Sequence, residues 1–311
     1  MTLAPFVQIV ARGQGRARAM TFAEAQKAMT LILNEDAAPE AVGALLMVMR
    51  LRGETADEIA GFTAALRNHV TGKLPEADLD WPSYAAGRSR GAPLFLLAAR
   101  LVGQAGYTVS MHGWNSHQAA AASLRDVLEL AGPNVRYTPL EALSPVAFKL
   151  LKLRDTFGLR SCFNTVLRMW NPSGAPASVQ GVFHPSYRSL QSQAADLLGQ
   201  KTLSIIKGGG GEFERHPSKD TEVYGLRDGV HIQEGTAPLL GETRKLHDIS
   251  NPIDLNSLWD GRTQDPFATA TITGTAALAL WTLKAAPTTG DAHTMACALW
   301  DARHKTESLS A

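Results

Sequence analysis

Residues 21–67 read TFAEAQKAMTLILNEDAAPEAVGALLMVMRLRGETADEIAGFTAALR. Two capping boxes mark helix starts in this stretch, Thr21 with Glu24 and Thr55 with Glu58. In each, the threonine hydroxyl caps the amide three residues on while the glutamate reaches back to the threonine amide. Pro39 suits the first turn of a further helix that runs to about Leu51. The stretch therefore predicts a small all-helical domain near the start of the chain.

The predicted helix at residues 41–51, AVGALLMVMRL, is apolar on nearly every side. A helix without a polar face is buried all round, either inside its own subunit or against a second subunit. Three or four short helices cannot hide that much apolar surface. We therefore expect a homodimer that forms through the helical domain.

Beyond residue 72 the pattern changes to short strands that alternate with helices. Strands are expected near 78–84, 107–112, 135–137, 179–183 and 202–207, and helices near 92–103, 118–130, 144–157, 162–169, 189–198, 266–285 and 291–305. A hairpin over 221–234 turns at Asp228 and Gly229. This alternation predicts an α/β domain with a mostly parallel central sheet covered by helices. We assign residues 1–72 to the helical domain and 73–311 to the α/β domain.

Composition narrows the class of protein. The 311 residues are 45% hydrophobic and 19% charged, which excludes a disordered chain. With two cysteines, Cys162 and Cys297, neither a disulfide framework nor a four-cysteine zinc site can form, so we expect reduced thiols and a cytoplasmic protein. The longest apolar region, 273–286, contains Lys284 and is too short to span a bilayer, so no membrane association is expected.

The formal net charge is +1, but residues 81–170 hold 10 basic and 4 acidic residues, a local charge of +6. A concentrated basic block attracts phosphates, although it is also typical of a solvated surface. Because ligands of parallel sheets bind at the carboxyl ends of the strands, the loops there are the candidate sites.

The loop after the first strand contains four candidate phosphate ligands: Ser83, Arg88, Ser89 and Arg90. A polar surface loop is the alternative interpretation. After the second strand come His112 and Asn115, and we interpret His112 as a hydrogen-bonding residue rather than a metal ligand, since no cysteine or carboxylate stands near it in the sequence. No catalytic residue can be identified.

Two further segments carry candidate ligands. Lys149 and Lys152 are three residues apart near one face of a helix, with Arg154 close behind, so they form either a solvated face or an anion-binding face. The loop KGGGGEFE at 207–214 lacks the pattern of a P-loop. Its carboxylates, Glu212 and Glu214, could hold Mg²⁺ together with substrate phosphates, or they could be exposed side chains of a flexible turn.

The helical stretch closely resembles the helical domain of anthranilate phosphoribosyltransferases and pyrimidine nucleoside phosphorylases, which form glycosyltransferase family 3. The most specific matches are MRLRGET at 49–55, EIAGF at 58–62 and LRDTFGLRSCFN at 153–164. The resemblance implies a small helical domain, completed by helices near 155–175, beside a large α/β domain. It also implies a substrate cleft between the two domains and a dimer through the helical one.

The active-site motifs of the family are changed in this chain. The family's GTGGD loop, which binds pyrophosphate, is replaced here by PSYAAG at 82–87. The family's helix start NxSTA is replaced by GAPLF at 91–95, and its KHGNR motif is replaced by MHGWN at 111–115. The acidic metal pair is shifted to Glu212 and Glu214. The resemblance implies that Arg154 occupies the position of the family's anthranilate-binding arginine.

The overall pattern is similar to the YbiB-type branch of this family, whose members bind nucleic acid without anthranilate activity. One hypothesis is therefore a protein that binds RNA or DNA, or a nucleotide, in the cleft between the domains. A second is an active glycosyl or phosphoribosyl transferase that uses phosphoribosyl pyrophosphate and Mg²⁺ with a changed acceptor. A third, anthranilate phosphoribosyltransferase itself, agrees least with the changed motifs.

Overall fold

The computed structural model describes residues 2–13, 15–69, 74–84, 91–114, 124–246 and 253–304. The helices are α1 (Ala4–Ala11), α2 (Phe22–Leu33), α3 (Pro39–Arg52), α4 (Ala56–His69), α5 (Leu94–Gln104), α6 (Leu140–Leu143), α7 (Pro145–Phe157), α8 (Phe163–Arg168), α9 (Tyr187–Leu197), α10 (Leu255–Trp259), α11 (Pro266–Thr282) and α12 (Thr289–Ala302). The strands are β1 (Leu79–Ser83), β2 (Val109–Gly113), β3 (Val135–Pro139), β4 (Ala177–Val182), β5 (Thr202–Lys207), β6 (Thr221–Arg227) and β7 (Val230–Thr236).

Both predicted capping boxes form in the helical bundle α1–α4. The Thr21 amide donates to Glu24 across 2.9 Å, and the Thr55 amide donates to Glu58 across 3.0 Å. Glu58 is fully buried and also accepts from the Met20 amide at 2.9 Å. Its carboxylate therefore ties the start of α4 to the residue just before α2.

Helix α3 is amphipathic in its packing, although its sequence is apolar nearly all round. Its core-facing residues are Val42, Leu45, Leu46 and Met49. Val48 is half-buried and Leu51 is 91% exposed. Of the two alternatives, burial of the whole helix inside its own subunit is wrong, because the other helices of the bundle pack against one side of it.

The sheet has the strand order β3-β2-β1-β4-β5-β6-β7. Strands β1 to β5 are parallel, while β6 pairs antiparallel with β5 and β7 pairs antiparallel with β6. Asp228 and Gly229 have φ values of 55° and 79°, as a two-residue hairpin turn of type I′ requires. The predicted mostly parallel sheet and its closing hairpin are confirmed.

One predicted helix differs from the structure. Of residues 118–130, the first six lie outside the described residues, and the segment Arg125–Ala131 is a 3₁₀ helix with a kink at Val127. Within this segment only Leu130 and Ala131 are buried, so packing gives little support to a longer α-helix.

Two hydrophobic clusters cover the two faces of the sheet. Helices α5, α10, α11 and α12 contribute to one cluster, and the helical bundle with α7, α8 and α9 contributes to the other. The second cluster joins Phe62 of α4 and Phe163 of α8 to Leu203 and Ile205 of β5. The bundle is thereby held beside the sheet. Among the described helices, none has the length and apolar character needed to cross a membrane.

Candidate functional site

A buried polar cluster connects β1, β2 and β4. The Tyr84 hydroxyl lies 2.8 Å from Nδ1 of His112 in a hydrogen bond, and Nε2 of His112 lies 3.1 Å from Oδ1 of Asp80. Ser178 on β4 donates to the other oxygen of Asp80 across 2.9 Å. Burial raises the pKa of Tyr84 well above its usual value, so its hydroxyl keeps its proton at neutral pH. The cluster locks the start of the loop after β1 to the end of β2.

Two of the predicted phosphate ligands belong to this buried region. Ser83 and His112 are both fully buried. His112 is a hydrogen-bonding residue, as its sequence context suggested, and its ring also packs edge-on against Trp170. Four further predicted ligands lie outside the described residues: Arg88, Ser89, Arg90 and Asn115. The role of these six residues in binding phosphate stays a prediction.

The glycine-rich loop after β5 folds against β4. A Cβ atom at Gly181 would lie 2.0 Å from the carbonyl carbon of Glu212, and one at Gly208 would lie 1.7 Å from the Glu212 carbonyl oxygen. These glycines permit a close approach of the protein's own backbone. The loop therefore turns inward, and the alternative of a flexible turn with exposed glutamates is wrong, since Glu212 is 3% and Glu214 is 1% exposed.

The two glutamates were expected as ligands of Mg²⁺. Glu214 accepts a hydrogen bond from the Phe95 amide, at the first turn of α5, across 2.9 Å. Among the described residues, no three His, Cys, Asp or Glu side chains come together as a metal site. Mg²⁺ needs six oxygen ligands, so this donor set does not form a magnesium site by itself. The assignment of Mg²⁺ to Glu212 and Glu214 stays a prediction.

The predicted basic face of α7 carries exposed lysines that have acidic neighbours, and its role in binding an anion stays a prediction. Lys149 pairs with Glu35 across 2.6 Å, and Lys152 lies 3.7 Å from Asp155 one helical turn away. Arg154 is half-buried on the same helix. None of the three lines the small cavity between the helical bundle and the sheet that is described next.

A different set of cations surrounds a small cavity between the helical bundle and the sheet. We call it the arginine pocket, and it is lined by Arg50, Arg160, Ser161, Asn164, Thr165, Arg168, Val182, Phe183, His184, Tyr187 and Gln191. Its volume is about 100 Å³. Arg50 comes from the end of α3, Arg160 from the segment before α8 and Arg168 from the last residue of α8. Three arginines from separate parts of the chain thus line one cavity.

Arg168 is the innermost of these cations. It is 6% exposed, and among the described residues its Nη2 atom has no hydrogen-bond partner. Burial lowers the pKa of Arg168, and the nearby Glu212 carboxylate opposes that effect. An arginine keeps its charge even when its pKa falls somewhat, so the pocket holds a buried cation that can bind an anion.

A carboxylate contacts one of the residues that line the pocket. Glu54 is half-buried and accepts a hydrogen bond from the Tyr187 hydroxyl across 2.9 Å. Burial raises the pKa of Glu54. Sequence reasoning missed Arg50, Arg160 and Arg168 as a group. Arg50 stands in the MRLRGET motif and the other two follow Arg154 in the basic block, but nothing in their spacing shows that they converge.

Comparisons with known proteins agree with this architecture. Residues 5–70 match the family "Glycosyl transferase family, helical bundle domain". The anthranilate phosphoribosyltransferase of Geobacillus kaustophilus is 29% identical over 232 residues, which are 68% of this chain and 68% of that protein.

Solved structures show the same fold over nearly the whole chain. Anthranilate phosphoribosyltransferase from Thermus thermophilus superposes with a TM-score of 0.73 at 20% identity, covering 94% of this chain and 95% of that one. The Saccharomyces cerevisiae enzyme in complex with PRPP and Mg gives a TM-score of 0.74 at 14% identity, covering 99% and 95%. This chain therefore has the anthranilate phosphoribosyltransferase-like fold of glycosyl transferase family 3, with a helical bundle beside an α/β domain.

Proposed function

We propose that this chain binds a phosphate-bearing ligand, a nucleic acid or a nucleotide, in the cleft between the helical bundle and the sheet. The observation that carries the proposal is the arginine pocket, where the buried Arg168 lies with Arg50 and Arg160. Guanidinium groups bind phosphate through paired, charge-assisted hydrogen bonds, so three of them on one small cavity favour a phosphate over a neutral ligand.

The local charge supports the same function. The segment 81–170 carries a net charge of +6, and both Arg160 and Arg168 belong to it. Binding that depends on charge alone tolerates many sequences and weakens as salt rises. A ligand with several phosphates therefore fits this surface better than a single neutral acceptor does.

Fluorescence anisotropy tests the proposal directly. Labelled single- and double-stranded oligonucleotides are titrated with the protein over a range of salt concentrations. We expect log affinity to fall linearly with log salt, with a slope of roughly 0.7 per neutralised phosphate for single strands. An absence of oligonucleotide binding at low salt would contradict the nucleic-acid form of the proposal.

Phosphoribosyl transfer with a changed acceptor is the second candidate function. It is favoured by the fold that this chain shares with anthranilate phosphoribosyltransferases, one of them in complex with PRPP and Mg. Against anthranilate phosphoribosyltransferase activity itself stands the loop at 82–87, PSYAAG, whose proline and tyrosine cannot approach the pyrophosphate of PRPP as glycines do.

An assay with anthranilate, PRPP and Mg²⁺ tests for anthranilate phosphoribosyltransferase activity itself. We expect no useful rate, since loss of a single backbone donor to a developing anion costs about 10²–10³ in rate in other enzymes. Calorimetric titration with PRPP and Mg²⁺, beside the oligonucleotides, then shows which phosphate compound the chain prefers. Robust turnover of anthranilate would overturn our preference and make the chain an enzyme of that activity.

A further inference from the structure

The arginine pocket is small. Its volume is about 100 Å³. Pockets that enclose a whole drug-sized ligand measure about 300–1,000 Å³. The pocket can thus take the charged end of a larger ligand, while the remainder of that ligand stays outside it.

The charges around the pocket favour an anion. Arg50, Arg160 and Arg168 all line it, while two carboxylates act on these cations, Glu212 on Arg168 and Glu54 on Arg50. A phosphomonoester carries a charge near −2 and three terminal oxygens at neutral pH. An internal phosphodiester carries a single charge and a sugar on each side, so it offers fewer oxygens to the three guanidinium groups.

An exposed aromatic group stands at the same pocket. Phe183 follows β4 directly and is 47% exposed, which is unusual for a large apolar side chain. The neighbouring His184 is also exposed, and the two ring centres lie 4.9 Å apart in an edge-to-face arrangement. Exposed aromatic rings next to phosphate-binding cations are typical platforms for unpaired bases.

We propose that the arginine pocket receives the terminal phosphomonoester of a single-stranded nucleic acid, with the terminal base stacked on Phe183. This inference rests on the proposed function and adds to it that the chain recognises a strand end. Arg168 would bind the innermost phosphate oxygen through Nη2, and Arg50 and Arg160 would bind the others. An internal stretch of strand would gain only the weaker contacts of the surrounding surface.

Fluorescence anisotropy with three oligonucleotides tests this inference. All three have one sequence of about 12 nucleotides, a length within the usual site size for single strands. They carry a 5′-phosphate, a 3′-phosphate or hydroxyl groups at both ends. We expect one phosphorylated form to bind about tenfold more tightly than the hydroxyl form, since it adds charge-assisted hydrogen bonds to the guanidinium groups of the pocket. The oligonucleotide that binds more tightly identifies which end of the strand is recognised.

Three variants test whether the arginine pocket and Phe183 cause the preference for a phosphorylated strand. Arg168→Gln and Arg50→Gln should each remove most of the preference for the phosphorylated strand, and Phe183→Ser should weaken its binding. Arg50 is exposed, so its variant remains informative if Arg168→Gln does not fold. Arg262→Gln is the control, because it removes one exposed positive charge far from the pocket in sequence and does not line it. It should keep the preference.

The outcomes separate this inference from the proposed function. Equal affinity for all three oligonucleotides, with steep salt dependence, would overturn the recognition of strand ends and leave the phosphate-binding function in place. An unchanged preference in both arginine variants would also overturn it, since the phosphate would then bind elsewhere. A failure of all three oligonucleotides to bind would remove the nucleic-acid function and this inference together.

Discussion

The carboxylate of Glu214 accepts a hydrogen bond from the backbone amide of Phe95, 119 positions earlier in the chain, across 2.9 Å. Phe95 belongs to the first turn of α5, and the residue before that helix, Pro93, provides no side-chain cap. A helix N-terminus at the carboxyl edge of a parallel sheet ordinarily attracts an anion. In this chain a buried side chain of the protein itself supplies the negative charge.

Replacement of Glu214 by Ala should destabilise the fold by about 1–3 kcal/mol, because it removes a helix cap and leaves buried polar groups without a partner. Glu214→Gln should have a smaller effect, since its amide oxygen can still accept from Phe95. Urea unfolding followed by circular dichroism measures the difference. Glu234→Ala, on the exposed face of β7, is the matched control. Equal unfolding midpoints for Glu214→Ala and the control would show that the cap is unimportant.

The hydrogen bond between Tyr84 and His112 should also contribute to stability. Tyr84→Phe leaves Nδ1 of a fully buried imidazole without its partner, and we expect a loss of about 1–3 kcal/mol in the free energy of unfolding. Chemical denaturation provides the measurement. Tyr107→Phe, at a half-buried tyrosine, serves as the control and should change stability less. If both variants unfold alike, the buried cluster does not stabilise the site as we infer.

The pair Arg18 and Glu24 should make stability depend on pH in the acid range. Hydrogen bonds from the Arg18 side chain and the Thr21 amide lower the pKa of Glu24 to about 2 from its usual 4.5. A carboxylate whose pKa is depressed by folding stabilises the protein above its unfolded pKa, and this contribution is lost as the pH falls through the folded value. Arg18→Gln should therefore destabilise the protein at pH 7. The loss of stability relative to the parent chain should shrink as the pH falls from about 4.5 to about 2.

Unfolding midpoints in urea at several pH values measure this effect. Arg12→Gln is the control, since it removes an exposed arginine whose side chain donates to the neutral Gln8. A difference between Arg18→Gln and the parent chain that stays constant from pH 7 to pH 3 would contradict the assignment.

The lysines of α7 should be dispensable for phosphate binding. Lys149 and Lys152 have acidic partners in Glu35 and Asp155 and do not line the arginine pocket. The double variant Lys149→Ala/Lys152→Ala should therefore leave oligonucleotide affinity within about twofold, apart from a small general loss of positive charge. Arg50→Gln should weaken it more. If the double lysine variant lost more oligonucleotide affinity than Arg50→Gln, the binding face would lie on α7.

The side of α3 that faces away from the other helices of the bundle should form the contact of a homodimer. Val48 is half-buried and Leu51 is 91% exposed, whereas Leu45 is fully buried in the bundle. Val48→Asp should give a folded monomer by light scattering, and Leu45→Asp should unfold the bundle instead, because it places a charge in the core. Leu197→Asp, at a half-exposed leucine of α9, should remain dimeric. A dimer that survives Val48→Asp would place the contact elsewhere.

Features that depend on neighbouring residues could be predicted from the sequence. The capping boxes at Thr21 and Thr55 involve residues three apart, and the hairpin needs only Asp228 and Gly229, so each forms wherever the chain continues as a helix or a strand pair. The alternation of strands and helices likewise predicted a mostly parallel sheet, since strands that are joined through helices pair in parallel. The fold class followed from these local patterns.

The candidate site was decided by tertiary structure. Arg50 and Arg168 line one pocket because α3 and α8 belong to the same hydrophobic cluster on one face of the sheet. Glu214 reaches Phe95 because the glycine-rich loop after β5 folds inward. Lys149, by contrast, meets Glu35 on the bundle surface. Such pairings join residues more than 100 positions apart, and they depend on how whole elements pack. The sequence by itself determined which elements form and where positive charge is concentrated, whereas only the packing decided which cations are solvated and which face a pocket.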